Sequence, residues 1–212
     1  MSVNAKSKKY FISGIDTNIG KTIVSSILTE ALQADYWKPI QAGDLENSDT
    51  DKVRSLVSNQ KSRFHSNSYA LKTAASPHYA AKMDEIRIDL KEITLPKTEN
   101  HLIIEGAGGL LVPLNANELI IDLIQLLDVE LILVVKSYLG SINHTLLSVE
   151  AAKRRLIPIK GIIFNGESNA ASEEYILNFT QLPFLGRVRT LPELNRAAIQ
   201  VYAKQFEFLK HD

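Results

Sequence analysis

Cysteine is absent from the 212-residue chain, which excludes disulfides, thiol catalysis and thiolate metal sites. Net charge is missing too. Lys plus Arg and Asp plus Glu come to 24 each, so there is no overall basic footprint for nucleic acid. The short Lys6, Lys8, Lys9 cluster reads as a solvated lead-in. No apolar run is long enough to span a bilayer, and the N-terminus lacks the apolar stretch of a secretory signal. Neither an internal repeat nor a Pro/Gly/Ser-rich linker divides the chain. The five histidines lack metal-ligand spacing, which argues against zinc, and no Ser-His-Asp arrangement emerges. With 45% hydrophobic and 23% charged residues, the composition is that of an ordinary globular protein. A cytoplasmic protein with a single domain over residues 1–212 is expected, without nucleic-acid or membrane partners.

Against these absences stands Gly14-Ile-Asp-Thr-Asn-Ile-Gly-Lys-Thr22. Tyr10-Phe11-Ile12 before it reads as a short buried strand. After it, Ile23, Val24, Ile27, Leu28, Ala31 and Leu32 share one helical face. A glycine-bearing turn between strand and helix aims backbone N–H groups and the positive end of the helix dipole at an anion. Lys21 would reach the outer phosphates and the Thr22 hydroxyl would ligate Mg²⁺. The general phosphate-loop pattern has four residues between its glycines, whereas this loop has five.

Strands are expected at Tyr10–Ser13, Tyr36–Ile40, Leu102–Glu105, Leu131–Val135, Ile159–Phe164 and, more weakly, Phe184–Val188. Helical patterns cover Gly20–Gln33, Leu119–Leu127, Ser141–Arg154, Ser172–Thr180 and Pro192–Phe208. In the last, Leu194, Ala197, Ala198, Val201 and Tyr202 form the apolar stripe. This alternation, with several continuously apolar strands, predicts an α/β fold. Its doubly wound, mostly parallel sheet would be flanked by helices and bind ligands at the carboxyl ends of the strands. Ser48 to Lys97 is less regular, and helices leaning over that edge are expected there.

Two further segments carry chemistry. Leu102-Ile-Ile-Glu105-Gly-Ala-Gly-Gly109 ends an apolar strand in an acid, where phosphate-loop enzymes place a Mg²⁺-directed carboxylate. Its glycines permit close backbone approach to a ligand. Tyr36-Trp37-Lys38-Pro39-Ile40-Gln41-Ala42-Gly43 places Lys38 beside a proline that stops regular pairing. A lysine facing the phosphates would meet developing negative charge. Taken locally, an exposed strand-end lysine is the better expectation, with Trp37 in the core. Downstream, Ser48 or Asp49 could cap a helix, or an acid there could complete a Mg²⁺ shell. Ser76-Pro77-His78 and Gly140-Ser-Ile-Asn-His144 read as helix starts. Asn165, at the end of a strand, could read a base edge or form a turn.

Together, Gly14–Thr22, Lys38-Pro39, Ser48-Asp49, Ser76-Pro77-His78, Glu105–Gly109, Gly140–His144, Asn165 and Leu185-Gly186 resemble the dethiobiotin synthetase family over nearly the whole chain. That family's loop usually reads Gly-Thr-Asp-Thr-Glu-Val-Gly-Lys-Thr, with the same wider spacing. The resemblance implies ATP- and Mg²⁺-dependent ring closure. Diaminopelargonic acid (7,8-diaminononanoate) and CO₂ form a carbamate, ATP phosphorylates it, and the second amine closes the ring to dethiobiotin. It also implies roles for residues. Lys21 and Lys38 stabilise phosphoryl and carbamate oxygens, and Thr17, Asn18, Ile19, Gly20, Lys21, Thr22 and Ile23 hold phosphates. Thr22, Asp49 and Glu105 ligate Mg²⁺, with Gly106, Ala107 and Gly108 beside the nucleotide. Asn165 and Arg189, Thr190, Leu191 and Glu193 face the base. Ala42 borders the substrate, whose carboxylate is received by Gly140, Ser141, Ile142 and Asn143 across a homodimer interface.

The chain departs from the family pattern at three positions. Asn18 replaces the loop Glu, Ala42 stands where Ser or Thr is common, and Arg189 replaces a frequent Pro. Between Asp49 and Asp51, Asp49 keeps the family's apolar spacing to Val53. Two rival classes are a cobyrinic acid-type amide ligase and a partitioning-type nucleotide switch. The first carries a glutaminase domain with a cysteine nucleophile. The second has an additional lysine within the loop, and positions 15 to 19 hold none.

Overall fold

The computed structural model describes residues 7–190 and 193–210. Its strands are β1 (Lys9–Gly14), β2 (Asp35–Trp37), β3 (Ile40–Ala42), β4 (Phe64–His65), β5 (Tyr69–Leu71), β6 (Leu102–Gly109), β7 (Glu130–Lys136), β8 (Ile159–Asn165) and β9 (Phe184–Val188). The helices are α1 (Lys21–Leu32), α2 (Asp49–Leu56), α3 (Pro77–Met83), α4 (Ile120–Leu127), α5 (Ser141–Arg154), α6 (Ala170–Thr180) and α7 (Arg196–Ala203). Among the described residues, seven strands make one parallel sheet in the order β4-β2-β6-β1-β7-β8-β9. β3 and β5 pair separately, also in parallel. The expected doubly wound α/β fold is present.

Alternation along the strands builds two cores. Tyr10 and Ile12 of β1, Tyr36 of β2 and Ile103 of β6 pack with Val24 and Ile27 of α1 on one face. Phe11, Trp37, Leu102 and Ile104 join Ile121 and Leu123 of α4 on the other. Burial on both faces explains why β7 is apolar at every position from Leu131 to Val135. β1 lies at the centre of the sheet, between β6 and β7. The turn after it therefore opens at the middle of the carboxyl edge, where such sheets bind ligands.

Four sequence expectations change. The strand expected at Leu102–Glu105 runs on to Gly109, which still pairs with Gly14 of β1, so Glu105 lies inside β6 and not at its end. Tyr36–Ile40 is not one strand. β2 stops at Trp37, and the chain crosses at Lys38-Pro39 into β3 of the smaller sheet, because proline offers no N–H to continue the ladder. Ser48–Lys97 contains helices α2 and α3 but also β4 and β5. The last helix is shorter than Pro192–Phe208, of which Pro192 lies outside the described residues. Asn195 caps α7 by accepting a bond from Ala198 N at 2.9 Å, and a 3₁₀ stretch follows at Lys204–Lys210. Its buried face is Ile199, Ala203 and Phe206, while Leu194 and Val201 of the expected stripe are exposed. The bulkier Ile199 and Phe206 are the groups turned inward, joining the core that α1 also lines.

The end of α1 is tied to the chain after α2 through Glu30. Its carboxylate accepts bonds from Ser58 N (2.8 Å), Ser58 Oγ (2.7 Å) and both Asn59 nitrogens (3.2 Å each). Burial disfavours the ionised form, but these donors outweigh it and hold the carboxyl below its ordinary range. A carboxyl with a depressed folded pKa contributes stability above its unfolded value and loses it as pH falls through the folded one. Glu30→Gln should therefore lower the urea midpoint near neutral pH. It should also flatten the fall of that midpoint between about pH 5 and about pH 3, measured by fluorescence-monitored unfolding.

Candidate active site

The turn from β1 to α1 has little freedom. Gly20 holds φ at 91°, a left-handed conformation that side chains resist, and a Cβ there would collide with the Asn165 amide. That amide, at the end of β8, donates to Ile19 O at 2.6 Å. Ile19 is buried, while Thr17 and Asn18 are exposed and Asn18 also has positive φ. Lys21 begins α1, with its side chain 8% exposed and its Nζ donating to Asp16 O at 3.1 Å. Burial draws the Lys21 ammonium down to about 8. Glu105 opposes the shift and Lys38 adds to it.

Beside the loop, side chains from α1, β2 and the crossing after β2 converge on Glu105, which is 1% exposed. Oε1 accepts bonds from Thr22 Oγ1 of α1 (2.8 Å) and from Lys38 Nζ (3.2 Å). Oε2 accepts from the Tyr36 hydroxyl of β2 at 2.9 Å. Lys38 Nζ also pairs with Asp49 at the start of α2, at 2.9 Å. The local expectation of an exposed Lys38 is overturned: the residue is only 4% exposed. Two carboxylates supply the counter-charge that lets the ammonium stay buried. Burial alone would lower the Lys38 pKa, yet Glu105 and then Asp49 outweigh it and raise the value. Burial likewise disfavours ionised Asp49, but Lys38 overcomes it and keeps the carboxyl low.

Capping chemistry separates the two acids of α2. Ser48 is the cap and exchanges bonds with Asp51 in a reciprocal box, and Asp51 also pairs with Arg54 at 2.8 Å. Asp49 is left facing Lys38, its backbone N–H donating to Gln41 Oε1 at 3.3 Å. Tyr36 and Gln41 were not anticipated. Period-2 alternation could have set Tyr36 opposite Trp37, but which strand it would meet depends on sheet register.

These groups border a cleft of about 720 Å³. Thr17, Asn18, Gly20, Lys21, Thr22 and Ile23 line one side, with Lys38, Ala42 and Asp49 across from them. Ser76, Pro77, Glu105, Ala107 and Gly108 complete the wall, and Gly106 O lies 3.5 Å from Lys38 Nζ. Ala42 brings no hydroxyl. Arg189, Thr190 and Glu193 are exposed and are not among the lining residues, while Leu191 lies outside the described residues. Gly140, Ser141, Ile142 and Asn143 open α5 and do not line the cleft of their own chain. They are linked to the loop through Tyr138, whose hydroxyl lies 3.4 Å from Asp16 Oδ2 and 2.7 Å from His144 Nδ1.

Such a donor set suits a hard cation. One hydroxyl and two carboxylates offer oxygen only, and no group of three or more His, Cys, Asp or Glu is assembled among the described residues. Mg²⁺ is held in this way, by few protein ligands and several waters. No described helix is long and apolar enough to cross a membrane.

The chain is similar to known proteins in both sequence and fold. Residues 8–198 match the protein family described as AAA domain. The ATP-dependent dethiobiotin synthetase of Christiangramia forsetii is 54% identical over 199 residues, covering 94% of this chain and 96% of that protein. Its counterpart in Cytophaga hutchinsonii is 52% identical over 197 residues, covering 92% and 95%. The fold is shared more widely. A plasmid partition protein from Borrelia burgdorferi superposes with a TM-score of 0.58 at 14% identity, covering 97% of this chain and 98% of that one. Identity of this degree along almost the entire length, with a phosphate loop of the family's spacing, places the chain in the ATP-dependent dethiobiotin synthetase family.

Proposed function

We propose that the protein closes the ureido ring of dethiobiotin from 7,8-diaminononanoate, CO₂ and ATP. One amine adds to CO₂ and loses a proton, giving a carbamate. A carbamate oxygen then takes the γ-phosphoryl group, and ADP leaves. The second amine attacks the carbonyl of this mixed anhydride, forming the ring C–N bond and expelling phosphate. The observation that carries the assignment is the burial of Lys38 between Asp49 and Glu105, facing the same cleft as Lys21 and Thr22. A phosphate loop alone would serve many reactions. A second buried cation beside it suits a reaction whose acceptor is itself an anion.

In this reading, Thr17, Asn18, Ile19, Gly20 and Ile23 present the loop to the phosphates. Lys21 neutralises the outer ones, and a polyphosphate supplies the counter-charge that burial withholds from it. Lys38 bridges carbamate and phosphoryl oxygens. Thr22, Asp49 and Glu105 would hold Mg²⁺, which supplies charge neutralisation on the phosphates when bound. Gly106, Ala107 and Gly108 let the nucleotide approach the backbone, and Asn165 with Arg189, Thr190 and Glu193 borders the base. Ala42 gives the diamine an apolar contact where the family pattern has a hydroxyl. Gly140–Asn143 of the partner subunit in a homodimer would receive the substrate carboxylate at the N-terminus of α5, where the Ser141 N–H is already taken by Tyr138 O. Anchoring that remote end converts binding energy into placement of the amines. ATP as co-substrate and the absence of cysteine accord with a cytoplasmic location. Incubation with the diamine, bicarbonate and ATP should yield dethiobiotin by mass spectrometry, with one phosphate released per ring. ATP hydrolysis indifferent to the diamine would refute the assignment.

Three outcomes follow for variants. Lys21→Ala should lose about a hundredfold or more in turnover while remaining folded, as judged by circular dichroism beside the phosphate-release assay. Near-normal activity would remove the loop from the mechanism. Glu105→Gln should raise the Mg²⁺ concentration needed for half-maximal activity, read from MgCl₂ titrations at fixed ATP.

The composite site is tested by mixing Lys21→Ala with Asn143→Asp, whose added charge would repel the substrate carboxylate. Each parent should be nearly inactive. Full subunit exchange should restore about a quarter of wild-type activity, since half of the dimers then hold one intact site of two. No recovery after exchange verified by native mass spectrometry would indicate that each chain builds its own site.

A further inference from the structure

Tyr36 has no part in the chemistry above, yet among the described residues its hydroxyl alone bonds Glu105 Oε2. Sheet register brings the two together. Tyr36 pairs with Ile103, so Glu105, two residues further along β6, is its diagonal neighbour on the same face, within reach of a long aromatic side chain. The ring is 0% exposed and packs 6.2 Å from Phe64, so the hydroxyl is delivered from a fixed direction. A carboxylate otherwise turns easily about its last torsion. Tying down Oε2 sets where Oε1 points, toward Thr22 and Lys38.

We propose that Tyr36 is a positioning residue: its buried hydroxyl anchors Oε2 of Glu105 so that Oε1 alone is presented to Thr22, Lys38 and the reacting groups. The proposal deepens the function assigned above and rests on Glu105 acting at the Mg²⁺ site. A phenol hydroxyl can donate to a carboxylate oxygen, which can only accept.

The test uses the full chain and measures ADP binding by calorimetry across a MgCl₂ series, for wild type, Tyr36→Phe, Glu105→Gln and the double variant. Tyr36→Phe should raise the MgCl₂ midpoint about tenfold. It should lower kcat by a similar factor and leave KM for the diamine within about twofold. The double variant should be no worse than Glu105→Gln, because the hydroxyl acts through that carboxylate. A Tyr36→Phe protein that melts lower but keeps the wild-type midpoint, while Glu105→Gln shifts it, would make Tyr36 merely structural and leave the metal assignment standing. Additive effects in the double variant would also overturn the proposal. Unchanged midpoints in both single variants would overturn the proposal and the metal assignment together. If Tyr36→Phe does not fold, 4-fluorophenylalanine at position 36 fills the space of the hydroxyl but cannot donate. Its midpoint must rise as expected for Tyr36→Phe, and a wild-type midpoint refutes the role.

Discussion

A carboxylate with almost no access to water organises this molecule. An acidic side chain is tolerable inside a protein only when charge and hydrogen bonds replace its hydration. Its partners come from separate parts of the chain: Thr22 from α1, Tyr36 from β2 and Lys38 from the crossing after it. Lys38 then draws in Asp49 from α2. The break at Lys38-Pro39 acquires a purpose in this light. A continued strand would have kept Lys38 in the ladder, whereas the crossing lets its ammonium turn between two acids.

The same arrangement lines the cleft with fixed cations. Lys21 and Lys38 lie near each other and are largely removed from solvent, and burial holds the Lys21 ammonium below its ordinary range. Fixed cations and N–H groups of this kind gain strength in a dry site and need no reorganisation when charge develops. The loop itself is braced from β8, because the Asn165 amide holds Ile19 O against the turn that Gly20 permits. The loop, the Asn165 amide and the Glu105 carboxylate are thus connected across the sheet.

Much of the fold was legible because local rules and tertiary demands agree. β1, α1, β7 and α5 fall where periodicity puts them, since each has one continuous apolar run or stripe and a clear start. Misjudged elements are those in which local pattern competes with packing. Tyr36–Ile40 looks like one strand until Pro39 moves the chain to another sheet. The stripe through Leu194 and Val201 has suitable spacing, but Ile199, Ala203 and Phe206 are the side chains that join the core lined by α1. The short strands β4 and β5 have too few residues to show a period at all.

For the site, the sequence by itself marked the glycine-bearing loop between β1 and α1 and the acid Glu105 after an apolar run, because each depends on neighbours close in the chain, whereas Asn165 finds its partner Ile19 146 positions away. The preference for Asp49 over Asp51 came from spacing to Val53. What separates the two acids physically is a cap, in which Ser48 occupies Asp51 and leaves Asp49 for Lys38. Tertiary structure alone decided that Lys38 is buried and that Tyr36 meets Glu105. A lysine's exposure depends on whether distant acids surround it, and a tyrosine's partner depends on strand register. Residues Lys38 and Glu105 are 67 positions apart, and only closure of the sheet brings their charges within reach, where removal from water makes each necessary to the other.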